Sequence, residues 1–314
     1  MNHADAVALR RVIVTRPEAD AGSWVRQLQK NGFAAELLPL IEIVAATGAA
    51  DVHALAQAWH CIDSYAACMF VSGNAVRFFF EPKPEPAQHL RGLNAMDNIA
   101  NTGLKSLPPN LRFMAPGPGT SAALLAAGVP AGQIDAPPLD AEQFDSEALW
   151  KVIGQRDWHN RRVLVVRGVT AQAGQVGQHS RDGQVGQPDA NDEMPPTSYG
   201  RDWITRQWQA AGADVDFVGV YERRAPVWTP AQVQCARAAS ADGAVWLFSS
   251  SEAVLHLSQL PGLEDVDWGR AVAIATHPRI SATVRGAGWG VVRESRPALA
   301  DILVTLRSIE SDDS

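Results

Sequence analysis

Short apolar runs alternate with amphipathic stretches along the whole chain. Residues 12–14 form a β-branched run that Thr15, Arg16 and Pro17 end, because proline breaks the pattern and pre-sets a turn. Asp20 or Ser23 is placed to cap the next helix, whose apolar positions include Trp24 and Leu28 and whose stop signal is Gly32. Residues 36–44 read as a strand interrupted by Pro39, which demotes it to an edge strand or a connector. The same reasoning predicts helices over 53–59, 74–80, 143–153, 203–211, 252–260 and about 297–306. It predicts strands over 67–72, 99–103, 112–115, 162–166, 245–249 and 271–275, and a proline-rich loop over 81–86.

Strands alternating with helices imply an α/β fold of parallel sheets with helices on both faces, and such folds gather ligands at the carboxyl ends of their strands. The polar turns of this chain follow apolar runs and therefore sit at that end. They are Thr15 and Arg16; Ser72, Gly73 and Asn74; Gly117 to Thr120; Arg167 and Gly168; Ser249, Ser250 and Ser251; and Thr276 to Arg279.

One of these turns is an anion seat in outline. Residues 112–128 pass from an apolar run through Gly117, Pro118 and Gly119 into an alanine-rich helix ending at Gly128. Glycine permits close backbone approach, the first helical amides point outward, and Thr120 or Ser121 can cap the same end. Alone, such a turn is ordinary α/β architecture; here it recurs. Residues 271–288 repeat the layout, with His277, Pro278, Arg279 and Ile280 standing where Gly117 to Thr120 stand. Residues 12–17 pair with 163–168, 23–42 with 203–222, and 70–76 with 248–254, so Gly32 aligns with Gly212 and Ile41 with Tyr221. The chain is a duplication. Between 168 and 203 the composition turns to Gln, Gly and small polar residues, with GQVGQ twice, which predicts a disordered surface loop over about 170–199.

Composition narrows the function classes. A length of 314 residues accommodates two domains, and 46% hydrophobic with 19% charged residues is ordinary globular material. A formal net charge of -7 argues against a nucleic-acid partner, and the absence of a long apolar run argues against a membrane span. The first eleven residues read as a frayed leader, and the cytoplasm is the expected location. Cys61, Cys68 and Cys235 show no paired spacing and suggest neither a metal nor a disulfide.

The candidate chemistry is electrostatic. Arg16 and Arg167 occupy equivalent positions and suit carboxylate binding; a strand-end Arg paired with a neighbouring acid is the plainer alternative. His277 is an acid or base by type, or a turn histidine held by the proline after it. The Tyr221 hydroxyl is not demanded by the repeat, because the first copy has Ile41, so it is either a proton donor or a packed ring. Glu42 and Glu222 read as solvated or hinge residues. Catalytic-triad, Walker and dinucleotide fingerprints are missing from the sequence.

The ordered segments VTRP, LLPLIEI, FVSGNAV, GPGT, VLVVRG, VGVYER, FSSSEAV and ATHPRI resemble the uroporphyrinogen-III synthase family. The resemblance implies two α/β domains joined by a two-stranded connector with the active site between them. It places a discontinuous first domain at 1–39 plus 221–314, and an inserted second domain at 40–220. It also implies a lyase that needs no cofactor, acting as a monomer in tetrapyrrole (heme) biosynthesis. Such a lyase cyclises hydroxymethylbilane to uroporphyrinogen III with inversion of ring D and loss of water. Tyr221 is then the candidate acid. Thr15, Arg16, Ser72, Asn74, Gly117, Gly119, Thr120, Arg167, Gly168, Arg201, Ser249, Ser250, His277 and Arg279 are the candidate substrate contacts. Where relatives carry a threonine in the second turn, Arg279 or Ser281 is the expected replacement. The alternative is a non-catalytic two-lobed binding protein for a tetrapyrrole or another polycarboxylate.

Overall fold

The computed structural model describes residues 10–81, 107–141, 143–169 and 196–312. The chain begins β1 (Arg11–Val14), α1 (Glu18–Lys30), β2 (Ala34–Leu37), β3 (Glu42–Ala45), α2 (Ala49–His60), β4 (Tyr65–Phe70) and α3 (Gly73–Phe80). It continues β5 (Arg112–Met114), α4 (Pro118–Ala126), β6 (Ile134–Asp135), α5 (Ser146–Ile153), β7 (Arg162–Val169), α6 (Pro196–Ala210) and β8 (Asp214–Arg224). It ends α7 (Pro230–Ala239), β9 (Val245–Phe248), α8 (Ser251–Gln259), β10 (Val272–Ala275), α9 (Pro278–Gly286), β11 (Val291–Glu294) and α10 (Leu299–Asp312).

These elements form two compact units, one from Met1–Ile43 with Arg223–Ser314, the other from Val44–Glu222. Both crossings fall inside strands, within β3 and within β8, rather than at the 39/40 and 220/221 positions expected from sequence.

The first unit holds a five-stranded sheet in the order β11-β10-β9-β1-β2, and the second a six-stranded sheet in the order β3-β8-β7-β4-β5-β6. Five strands of each correspond in order, and β3 is the extra strand of the second sheet. The repeat seen in the sequence equates β1 with β7, β2 with β8, β9 with β4 and β10 with β5; β11 then takes the place of β6. Each of these shared neighbour pairs is parallel.

Period-2 alternation places apolar side chains on both faces of each sheet. In the first unit Ile13, Trp246 and Phe248 point into one core, while Val12, Val14, Val245 and Leu247 point into the other. In the second, Ala67, Met69, Val163 and Val165 pack under Trp158, Ile204 and Trp208. Phe70, Phe79 and Phe80 cluster elsewhere in that unit, with Phe70 and Phe79 edge to face at 5.3 Å.

Several expectations shift. Helix α1 begins at Glu18 behind Pro17 and has no side-chain cap, so Asp20 and Ser23 lie inside it. The Pro39 interruption is complete: β2 and β3 are separate strands, each at an edge of its sheet. Helix α6 reaches back to Pro196, so residues 196–199 belong to a helix and not to the predicted loop; the remainder of that loop lies outside the described residues. The predicted leader, the strand at 99–103 and most of the proline-rich loop also lie outside them. Strand β6 is two residues long, and β11 offers only two apolar positions before Arg293, too little to show a period. Helix α7 escaped notice because its small and polar residues carry no apolar stripe.

One buried ion cluster ties β5, β6 and the loop after α5. Asp135 is 5% exposed and takes two nitrogens from each of Arg112 and Arg156, among them Arg156 Nη2 at 2.7 Å and Arg112 Nε at 3.0 Å. Burial pushes its carboxyl up, but the hydrogen bonds and charges of Arg156 and Arg112 outweigh this and hold it below the ordinary carboxylate range. A carboxyl whose pKa is depressed by folding stabilises fully above its unfolded value, about 3.9, and loses that contribution as pH falls through the folded value. Asp135→Asn is expected to cost about 1–3 kcal/mol at neutral pH, because the two partly exposed arginine side chains lose their shared charged acceptor but regain water. Denaturant titration at pH 7 and at pH 3 should show the deficit shrinking at the lower pH.

Candidate active site

The second unit gathers its polar groups at the carboxyl ends of β4, β5, β7 and β8. Pairing of β7 with β8 runs in step from Arg162 opposite Asp214 to Arg167 opposite Gly219, and then shifts so that Gly168 faces Tyr221. Val220 is the extra residue, a bulge of the kind that re-aims a side chain. The consequence is specific. The Tyr221 ring occupies the space above Gly168, where an added Cβ would lie 2.8 Å from Cε2 and Cζ. Phe78 of α3 stacks on the ring at 6.0 Å between centroids, and Tyr221 is only 6% exposed. Its hydroxyl lies 3.3 Å from Ser72 Oγ, which also caps α3 by accepting the Ala75 amide at 3.2 Å.

Around this core, Asn74 is half-buried in the first turn of α3, and the Arg167 guanidinium lies over Phe217 at 4.7 Å. Helix α4 opens at Gly117 with no side-chain cap, so the expected capping by Thr120 or Ser121 gives way. The amides of both residues reach the Gly117 carbonyl, Thr120 is 7% exposed, and Ser121 donates its hydroxyl to the same carbonyl at 3.3 Å. Pro118 has no N–H, which leaves the exposed Gly119 amide as the outward donor of this turn.

The first unit repeats the arrangement with other residues. Thr15 is buried at the end of β1 and donates its hydroxyl to the Leu247 carbonyl at 2.6 Å. Arg16 lies over Trp24 at 4.6 Å, with its Nε buried and without a hydrogen-bond partner. Val14, Arg16, Trp24, Ser249 and Thr276 share one shallow depression at the ends of β1, β9 and β10. Ser249 is exposed, whereas Ser250 caps α8 by accepting the Glu252 amide at 3.2 Å. His277 caps α9: its Nδ1 accepts the Arg279 amide at 3.1 Å. The equivalent arginines of the two units thus share a device, a guanidinium laid on an aromatic ring. Glu42 is paired with Arg224 at 2.8 Å.

Residues 22–174 match the family model described as uroporphyrinogen-III synthase HemD. Over these residues the chain carries the domain of this synthase family. Its members are enzymes of tetrapyrrole synthesis. Among solved structures, a uroporphyrinogen-III synthetase from Helicobacter pylori is similar over 96% of this chain and 100% of its own, at 12% identity and a TM-score of 0.48. A mutant uroporphyrinogen III synthase from the extremely thermophilic bacterium Thermus thermophilus is similar over 96% and 99%, at 14% identity and 0.45.

Against the synthase pattern, the second glycine-type turn is the departure. Ser281 is wholly buried on α9, so of the two residues weighed for the missing threonine only Arg279 reaches solvent. Arg201 falls in α6, and its side chain lies outside the described residues. No helix among the described residues is long and apolar enough to cross a membrane. Three features escaped the sequence: Trp24 and Phe217 under the arginines, Phe78 beside Tyr221, and the steric reason for glycine at 168. The last left one signal, since glycine recurs neither at Pro17 nor elsewhere in the first copy's strand end.

Gly168→Ala places a methyl group inside the Tyr221 ring's space. Overpacking of this kind costs about 1–3 kcal/mol. The variant is expected to melt lower and to lose turnover far beyond what the lost folded fraction explains, which parallel thermal melts and initial rates measured well below the melting point would reveal. A variant with unchanged turnover would show that the seat of the Tyr221 ring does not matter.

Proposed function

We propose that the protein closes hydroxymethylbilane to uroporphyrinogen III, as a hydro-lyase, with inversion of the terminal ring and loss of water. The observation that carries this reading is Tyr221, whose hydroxyl is held against a serine at the head of a helix, in a chain that carries the domain of the synthase family. Supporting it are the turns at Gly117 to Gly119 and Ser249 to Arg279, where amides, hydroxyls and guanidinium groups suit a polycarboxylate.

The chemistry is simple in its demands. The electron-rich pyrrole at the end opposite ring D expels the hydroxyl of its hydroxymethyl arm, its nitrogen lone pair forming a C=N bond as the C–O bond breaks. Tyr221 gives its phenolic proton to the departing oxygen, which leaves as water. The carbon left electrophilic is attacked by the substituted α-carbon of ring D, at the other end of the bilane, to give a spiro centre. The bond from that centre to the neighbouring bridge then breaks and the bridge carbon rejoins ring D at its free α-carbon, so the ring is inverted. The proton that this carbon loses on re-aromatisation returns to the phenolate. Holding one geometry selects the isomer, and the proton assists only the departure. Uncatalysed closure gives the uninverted isomer.

Tyr221→Phe keeps the ring that fills the space over Gly168 and removes only the hydroxyl. Turnover is expected to fall by about 10²-fold to 10⁴-fold, the usual contribution of a general acid, with the product still isomer III and the melt little changed. Chromatographic resolution of isomers I and III alongside initial rates measures both. A wild-type protein that yields isomer I alone would favour the binding-protein alternative, and a Tyr221→Phe variant at full speed would remove the acid assignment.

A further inference from the structure

The Tyr221 hydroxyl does not stand alone, and the role of its neighbour follows from counting hydrogens. A serine hydroxyl has one hydrogen and two lone pairs. Ser72 Oγ already accepts the Ala75 amide at 3.2 Å, so a lone pair is committed to the first turn of α3 and its own hydrogen is left to give. Among the described residues, Tyr221 Oη also lies in reach, at 3.3 Å. If the phenol donated to the serine, its proton would be spent inside the protein. If the serine donates to the phenol, the phenolic proton is free for a substrate.

We propose that Ser72 is a positioning residue for the reaction: the Ala75 amide, the Ser72 hydroxyl and the Tyr221 hydroxyl form one directed chain that aims the phenolic proton outward and stabilises the phenolate left behind. This rests on the reading of Tyr221 as the acid. It changes what the sequence resemblance implied for Ser72, a direct contact with substrate. As the C–O bond of the substrate breaks and the phenolic proton leaves with the oxygen, negative charge grows on Tyr221 Oη. The Ser72 hydrogen bond strengthens onto that charge, and the N-terminal amides of α3 polarise it from behind. Phe78 stacked beside the ring and Gly168 beneath it keep the hydroxyl at the serine, with Tyr221 only 6% exposed. A single hydroxyl thus joins a helix terminus to a strand-borne phenol.

The test is a double-mutant cycle on the full chain with freshly prepared hydroxymethylbilane, run well below each variant's melting temperature. Ser72→Ala is expected to lower kcat about ten-fold with KM unchanged, and to slow Tyr221→Phe no further, because the serine acts only through the phenol. Ser72→Thr keeps both the cap and the hydrogen and should restore kcat. Ser72→Asp keeps the cap but has no proton to give, and should remain slow even where its melt equals wild type. The proposal is overturned if Ser72→Ala raises KM at unchanged kcat, if its effect multiplies with that of Tyr221→Phe, or if Ser72→Asp turns over at the wild-type rate. Should Tyr221→Phe itself keep full kcat, the acid reading fails first, which is a different result from any of these.

Discussion

Strand β8 carries one residue more than β7 between Gly219 and Tyr221, and the presentation of the second unit's polar groups depends on that excess. A regular parallel pair would have carried Val220 opposite Gly168. The bulge brings Tyr221 there instead, and Gly168 answers with an empty Cβ position that the ring fills. Gly219 shares the constraint: a Cβ there would lie 2.5 Å from Val169 Cγ2. Two glycines and one extra residue therefore hold a phenol at the head of α3.

The duplication shows how that seat arose from ordinary parts. In the first copy the position equivalent to Gly219 is Pro39, and the strand stops; in the second, β8 runs unbroken for 11 residues. The position equivalent to Tyr221 is Ile41, which is 3% exposed and sits in a core beside Leu38 and Leu40. One copy spends this site on packing, and the other on a hydroxyl. The arginine pair diverged less, since Arg16 on Trp24 and Arg167 on Phe217 keep the same guanidinium-on-ring geometry.

Much of the fold was legible because it rests on local signals. The apolar runs of β1, β4, β7, β9 and β10 are buried on both faces and stand out against polar turns, and Gly32, Gly128 and Gly212 all have positive φ where helices stop. The segments that the repeat paired in the sequence hold equivalent places in the two sheets. What stayed hidden depends on contacts across the chain. Helix caps were misplaced at Asp20 and Thr120 because each lies a residue or more inside its helix, and no local rule distinguishes those positions from the true start. The link from Ser72 to Tyr221 spans 149 residues and has no local trace at all. Tyr221 could be singled out because the first copy lacks a hydroxyl there and because the VGVYER segment that carries it resembles the synthase family.

In the proposed reaction a proton from Tyr221 moves as the substrate's C–O bond breaks. The most direct measurement of that transfer is the solvent deuterium isotope effect on kcat, taken on the wild-type protein and on Tyr221→Phe across matched pH and pD. A normal effect is expected in the wild type and should disappear in the variant, whose slower reaction expels hydroxide without help from the phenol. An effect of equal size in both proteins, or none in either, would contradict the transfer.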